Sequence, residues 1–311
     1  AELGDVIKVQ IQSKEFGRIA TQNAKNVILQ KIREEERKVL YDQYYGMEKE
    51  VVTGIVQRIM GKNVSVNLGK ADAILSEKEQ VRGEEFQPTE RIKVYILEVK
   101  DTPKGPRIEV SRTHPGLVKR LFESEVAEVK DGTVEIKSIA REAGSRTKIA
   151  VWSNDPDVDP VGACVGMNGA RVNSVVEELR GEKIDIINWD ENPAILIENA
   201  LSPAKVIAVM ADPDEKTALV VVPDYQLSLA IGKEGQNARL AARLTGFKID
   251  IKSETQARES GDFYDDYDEE HEEAEDEMTE EAVSEEIPET EEDTEETETE
   301  AEETADGDAE E

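Results

Sequence analysis

Residues 165–186 (V-G-M-N-G-A-R-V-N-S-V-V-E-E-L-R-G-E-K-I-D-I) and 231–251 (I-G-K-E-G-Q-N-A-R-L-A-A-R-L-T-G-F-K-I-D-I) are two copies of one pattern. In each, an apolar residue leads into G-x-x-G, an amphipathic run follows, a glycine stops it (Gly181, Gly246), and K-I-D-I closes the unit. The loops lie 66 residues apart and the closing strands 65, so the second run is one residue shorter. A repeat of this period predicts two copies of one supersecondary unit, each ending loop, helix, strand.

A lone G-x-x-G is more often an ordinary helix-turn-helix whose glycines serve turn geometry. Two copies with the same sequel reverse that balance. The unit resembles a KH RNA-binding domain, in which a GXXG loop clamps the nucleic-acid backbone. The elementary physics agrees. Glycines let a phosphate approach the backbone, and a helix N-terminus offers free N–H groups and a favourable dipole.

A formal charge of −33 argues against such a ligand, until its distribution is examined. Of the 71 acidic residues, 30 lie between Glu259 and Glu311, a stretch with no Lys or Arg. Residues 1–258 therefore carry 41 acidic against 38 basic side chains, a net of −3. The acidic block has too little apolar content to offset ordering entropy and is expected to be a disordered tail.

Upstream of the repeat, 3–12 reads as a strand and 18–45 as a long helix ending at Gly46, with Ala20, Ala24, Val27, Ile28, Ile32 and Val39 on one face. Residues 50–111 hold five short β-rich runs separated by Gly- and Pro-bearing turns, the pattern of a small OB-type barrel. A helix is predicted over 116–129, strands over 133–140, 147–152, 183–188, 217–222 and 248–252, and helices over 224–230 and 236–245. The expected architecture is multidomain α+β: an N-terminal helical remnant (1–46), a five-stranded S1/OB barrel (47–112), two tandem type II KH domains (113–190 and 191–256) and the acidic tail (257–311).

The candidate RNA-binding residues follow from the loops. In the second copy they are Gly232, Lys233, Glu234 and Gly235, then Gln236, Asn237, Arg239 and Arg243. Arg239 and Arg243 lie four apart and share a helix face. Leu229, Ile231, Leu240 and Leu244 are candidate groove walls. In the first copy they are Gly166, Met167, Asn168, Gly169 and Arg171. Both middle residues of that loop are neutral, so weaker phosphate binding, or dependence on Arg171, is expected. In the barrel, Phe86 and Tyr95 are the aromatics available for base stacking, with Arg58, Lys62, Lys70 and Arg107 for phosphates; either aromatic is equally at home in a core.

Cys164, the single cysteine, reads as a small buried hydrophobe. One cysteine and two scattered histidines, His114 and His271, make neither a zinc site nor a nucleophile pair, and no phosphate-binding P-loop or dinucleotide fingerprint is present. No catalytic role, cofactor or metal is expected. No apolar run approaches 18 residues and no signal peptide opens the chain, so a cytoplasmic protein without a membrane span is expected.

Several segments together resemble the bacterial NusA family of transcription factors. They are Val51–Gln57 (V-V-T-G-I-V-Q), Ser111–Phe122 (S-R-T-H-P-G-L-V-K-R-L-F), Ile139–Ala150 (I-A-R-E-A-G-S-R-T-K-I-A), Asp159–Gly166 (D-P-V-G-A-C-V-G), Leu179–Ile186, Ala200–Val206 and Ile231–Leu244. The order of helical part, S1 barrel and tandem KH domains matches as well, over residues 1–252. The resemblance implies a monomeric factor that binds RNA polymerase through its N-terminal part and nascent single-stranded RNA through S1-KH-KH. It would modulate pausing, termination and antitermination alongside other transcription factors. It also implies that residues 1–45 are only part of the family's N-terminal domain, so an upstream portion is expected to be missing. The rival reading is an S1/KH module of an RNA-processing or ribosome-associated complex.

Overall fold

A computed structural model describes residues 17–261, apart from Lys104. The strand expected at 3–12 and the acidic segment beyond residue 261 lie outside the described residues. Helix α1 (Arg18–Tyr45) has the predicted extent. Its last turns dock on the barrel: Tyr44 is buried and donates from its hydroxyl to Leu68 O at 3.1 Å. The apolar stripe further up does not dock, and Val27 and Ile28 are 58% and 59% exposed.

The barrel closes in the order β1-β2-β3-β5-β4. Its strands are β1 (Val51–Met60), β2 (Asn63–Asn67), β3 (Asp72–Leu75), β4 (Arg91–Lys100) and β5 (Arg107–Ser111). β3 and β5 run parallel and the other pairings are antiparallel. Val56, Val64, Val66, Val94, Ile96 and Ile108 fill the interior, so each strand turns alternate residues inward.

Each repeat copy folds as two strands, two helices and a strand, preceded by two helices in the first copy and one in the second. The first comprises α2 (Pro115–Glu125), α3 (Ala127–Lys130), β6 (Val134–Glu142), β7 (Arg146–Ser153), α4 (Pro160–Val165), α5 (Ala170–Glu178) and β8 (Lys183–Asn188). The second comprises α6 (Pro193–Ala200), β9 (Ala208–Asp212), β10 (Thr217–Val222), α7 (Leu227–Ile231), α8 (Gln236–Thr245) and β11 (Lys248–Ser253), and α9 (Glu254–Ser260) follows it. In both sheets the last strand runs parallel to the central one and forms an edge. Three helices open alike, with a capping side chain followed by proline. His114, Asp159 and Asn192 accept from backbone N–H groups of the first turn, and proline needs no such partner.

The structure differs from the sequence expectation in places. The helix expected over 116–129 breaks at Val126, a β-branched residue in extended conformation. Helix α9 was not anticipated, and α7 is preceded by a 3₁₀ turn rather than starting at residue 224.

The two copies share one core. Ala140, Ala150 and Ile187 from the first sheet pack with Leu196, Ile197, Leu201, Leu240 and Leu244 of the second copy. Lys148, fully buried at this seam, donates to Ser202 O at 2.8 Å and pairs with Asp185 at 3.3 Å. At the barrel seam, Arg112 is 1% exposed. Its guanidinium makes three contacts of 2.6–3.0 Å to the Glu84 carboxylate and also donates to the carbonyls of Lys93 and Glu178.

Candidate nucleic-acid interface

The two GxxG loops have nearly the same backbone. Gly166 and Gly232 sit at φ 74, ψ 175 and φ 76, ψ 173, a region open only to glycine. Asn168 and Glu234 follow in the left-handed region (φ 51 and 54), as do Gly169 and Gly235 (φ 74 and 72). A Cβ at Gly232 would lie 2.8 Å from Asn237 Cβ and 2.9 Å from its backbone nitrogen. The glycine is therefore required by the close approach of α8 as well as by its dihedrals. Each loop delivers the chain into a helix start, α5 or α8.

The side chains divide by role. Lys233 and Met167 occupy the same loop position and both are exposed, Met167 by 87%. Cationic chemistry at the loop tip is thus present in the second copy and missing from the first. Arg171 does not supply it. Its Nη1 is held by Glu128, at 3.0 and 3.2 Å, and by Ala163 O at 2.6 Å, a brace between α3 and α4. Asn237, expected as an RNA contact, is only 3% exposed. It spends its amide on Leu201 O and Ala230 O, both at 3.0 Å, and so supports the loop from behind. Leu240 and Leu244 also belong to the core rather than to a groove wall, whereas Leu229 and Ile231 are exposed. Helical spacing marks one apolar face but does not say whether that face meets a core or a ligand.

Arg239 and Arg243 do share a face, and that face meets the first copy. Arg239 Nε donates to Glu142 Oε1 at 3.1 Å, its Nη1 to Glu234 O at 2.5 Å, and Arg243 lies 3.9 Å from the same carboxylate. Gln236 donates to Glu142 at 2.8 Å and to Ser145 Oγ at 2.7 Å. These donors hold the Glu142 carboxyl below its ordinary range, Gln236 first and Arg239 second. Nothing in the sequence pointed to Glu142 or Ser145, because both reach the loop from more than 90 residues away.

Between the copies, an open cleft of about 710 Å³ is lined by Asp159, Val161, Ile186 and Asn188 of the first and by Asn199 and Lys205 of the second. Tyr225, 81% exposed, stands one turn before Leu229 at the entry to the second loop. Sixty-six residues upstream, the equivalent position is the capping Asp159. Aligning the two halves would have singled Tyr225 out.

The barrel offers no stacking platform of the expected kind. Phe86 and Tyr95 are both buried, the first under the Arg180 guanidinium at 5.3 Å and the second stacked on His114 at 4.7 Å. Lys62 is paired with Glu77 and Arg107 with Glu109, Lys70 reaches Gln43, and Arg58 is exposed. Cys164 is buried as expected, and burial pushes its thiol up to about 11. Among the described residues no group of His, Cys, Asp or Glu is arranged to hold a metal, and no helix is long and apolar enough to cross a membrane.

Sequence comparison assigns these parts. Family models match in succession between residues 1 and 259: the NusA N-terminal domain at residues 1–38, the S1 RNA binding domain at 46–111, the NusA-like first KH domain at 112–189 and the NusA-like second KH domain at 193–259. Over 259 residues the chain is 60% identical to the transcription termination/antitermination protein NusA of Bacillus subtilis, covering 83% of this chain and 70% of that one. The chain belongs to the NusA family. NusA of Mycobacterium tuberculosis is 48% identical over 263 residues (81% of this chain, 76% of that one), and NusA of Thermus thermophilus 45% over 249 (80% and 64%). In NusA terms, the two loops are those of the first and second KH domains, and the Arg112 cluster joins the S1 barrel to the first.

Proposed function

We propose that this chain is an RNA-binding transcription factor that acts in termination and antitermination by holding nascent single-stranded RNA while attached to RNA polymerase. The observation that carries the RNA reading is the matched pair of GxxG loops, whose backbone dihedrals agree to within a few degrees at glycine-dependent positions. Such loops bind by backbone donors at a helix N-terminus, with a nearby lysine adding charge. The residues assigned to RNA are Gly232, Lys233, Glu234 and Gly235, with Arg239 and Arg243 beyond them, and Gly166, Met167, Asn168 and Gly169 in the first domain. Polymerase attachment falls to the N-terminal part, whose α1 presents Val27, Ile28, Ile32 and Val39 to solvent. The protein is further read as a cytoplasmic monomer without catalytic activity.

The test is Gly235→Asp. This site is chosen over Gly232 because a Cβ there meets nothing nearer than Arg239 Nη1 at 3.5 Å, and aspartate tolerates the left-handed region. The variant should bind a short single-stranded RNA on the order of tenfold more weakly while melting within a few degrees of the parent. Undiminished affinity would remove the clamp assignment.

A further inference from the structure

The arginines that extend the second KH loop are already occupied. Glu142 ends β6 in the first KH domain, and its carboxylate takes hydrogen bonds from Gln236 and Arg239 and lies 3.9 Å from Arg243. Gln236 is the first residue of α8, so a fixed anion stands beside the start of the helix that opens behind the GxxG loop. Helix starts of this kind attract phosphate. The pair is only partly buried, with 21% of the Glu142 side chain exposed against 48% for Arg239 and 58% for Arg243. Ion pairs this exposed are weak and can be exchanged for another anion.

We infer that Glu142 is a built-in phosphate surrogate: it keeps Arg239 and Arg243 aligned on the second KH domain, and an RNA phosphate must displace it to engage them. This rests on the RNA-clamp reading and adds a gate supplied by the neighbouring domain. Glu142 is a positioning residue that acts through the arginines.

The hairpin that carries the gate is held on two sides. Ser145 bonds Gln236 at 2.7 Å, and a Cβ at Gly144 would lie 2.4 Å from a Val81 methyl of the barrel. The second KH domain and the barrel therefore set where the carboxylate stands. The domains themselves are held by the shared apolar core, so removing the charge leaves them docked.

The experiment uses the full chain and a fluorescent single-stranded RNA of mixed sequence, titrated across a range of salt. Glu142→Gln keeps an acceptor for Gln236 and removes the charge. It should bind about threefold more tightly at low salt, with a steeper salt dependence, because each newly neutralised phosphate adds about 0.7 to the slope for single strands. Glu142→Asp should restore parental affinity and slope. A merely structural role would alter melting but not the slope. Equal affinity and slope in Glu142→Gln and parent overturn the gate, as does Arg239→Ala binding RNA as well as the parent. Gly235→Asp separates the readings: if it weakens binding while Glu142→Gln is silent, only the gate fails; if it too is silent, the clamp reading fails first.

Discussion

At the scale of single residues, the two KH loops form an internal control. They share dihedrals and differ at the tip, where Lys233 stands in one and Met167 in the other. Met167→Lys should therefore raise affinity for single-stranded RNA about two- to threefold at low salt and steepen the salt slope by about 0.7. A slope equal to the parent's would mean that the first loop does not face the RNA backbone. Cys164 gives a second check. With no exposure and a thiol pushed by burial to about 11, it should resist alkylation at pH 8 in the native protein and react once denatured. The loops were legible in the sequence because glycine spacing encodes backbone geometry directly. Asn237 and Arg171 were not. They occupy the same place in the two copies, five residues after the first loop glycine, and in each the side chain turns inward to a carbonyl of the preceding helix or loop. Sequence shows that a residue is polar but not which way it points.

At the scale of elements, the β6–β7 hairpin and the turn before β8 are tied by one buried carboxylate. Glu182 accepts from Arg141 at 2.8 and 2.9 Å, from Gly144 N at 2.8 Å and from Thr147 Oγ1 at 2.5 Å. Burial raises its pKa, but the Arg141 hydrogen bonds and charge, helped by Thr147 and Gly144, outweigh this and leave it below the ordinary carboxylate value. A carboxyl depressed in the folded state contributes stability that is complete above its unfolded pKa and is lost as pH falls through the folded value. Glu182→Gln should cost about 3 kcal/mol at pH 7 by leaving Arg141 unpaired. It should also flatten the loss of stability as pH falls below about 5, as urea unfolding at about pH 7 and about pH 3 can measure. An unchanged pH dependence would show that Glu182 is not the acid-sensitive group. Most strands and the long helices were read correctly from alternation and helical spacing, which are local properties. The break at Val126 and the helix α9 were missed because tertiary packing decides them: Val126 and Ala257 are both fully buried.

At the scale of the whole molecule, the sequence delimited a barrel and two KH units without giving their mutual arrangement, and the structure joins them. The repeat period counted two KH units but did not show that they share Ala140, Ala150, Ile187 and the Leu196–Leu201 segment in one core. That sharing depends on which sheet face lacks its own helices. The barrel is joined through Arg112, and Arg112→Ala should destabilise residues 17–261 by about 3 kcal/mol, because the buried Glu84 then keeps only Arg180, at 3.9 Å, as a cation partner. Calorimetry would register this as a lower melting temperature, and an unchanged one would show the seam to be dispensable.

Long-range charge acts at the same scale. Residues 262–311 carry 29 carboxylates and no Lys or Arg, attached to a body close to neutral. Their field opposes RNA at any distance within the Debye length, about 10 Å at 0.1 M salt and about 30 Å at 0.01 M. Cutting after Gly261 keeps α9, whose Ala257 is buried, and removes only the acidic block. The shortened chain should bind single-stranded RNA several-fold more tightly at about 0.01 M salt, and the advantage should shrink toward nothing by about 0.5 M as screening sets in. A local contact between the acidic block and the GxxG loops predicts a different pattern, since Gly235→Asp would then lessen the gain from shortening. Equal affinities across the whole salt range would make the acidic block a spectator in RNA binding.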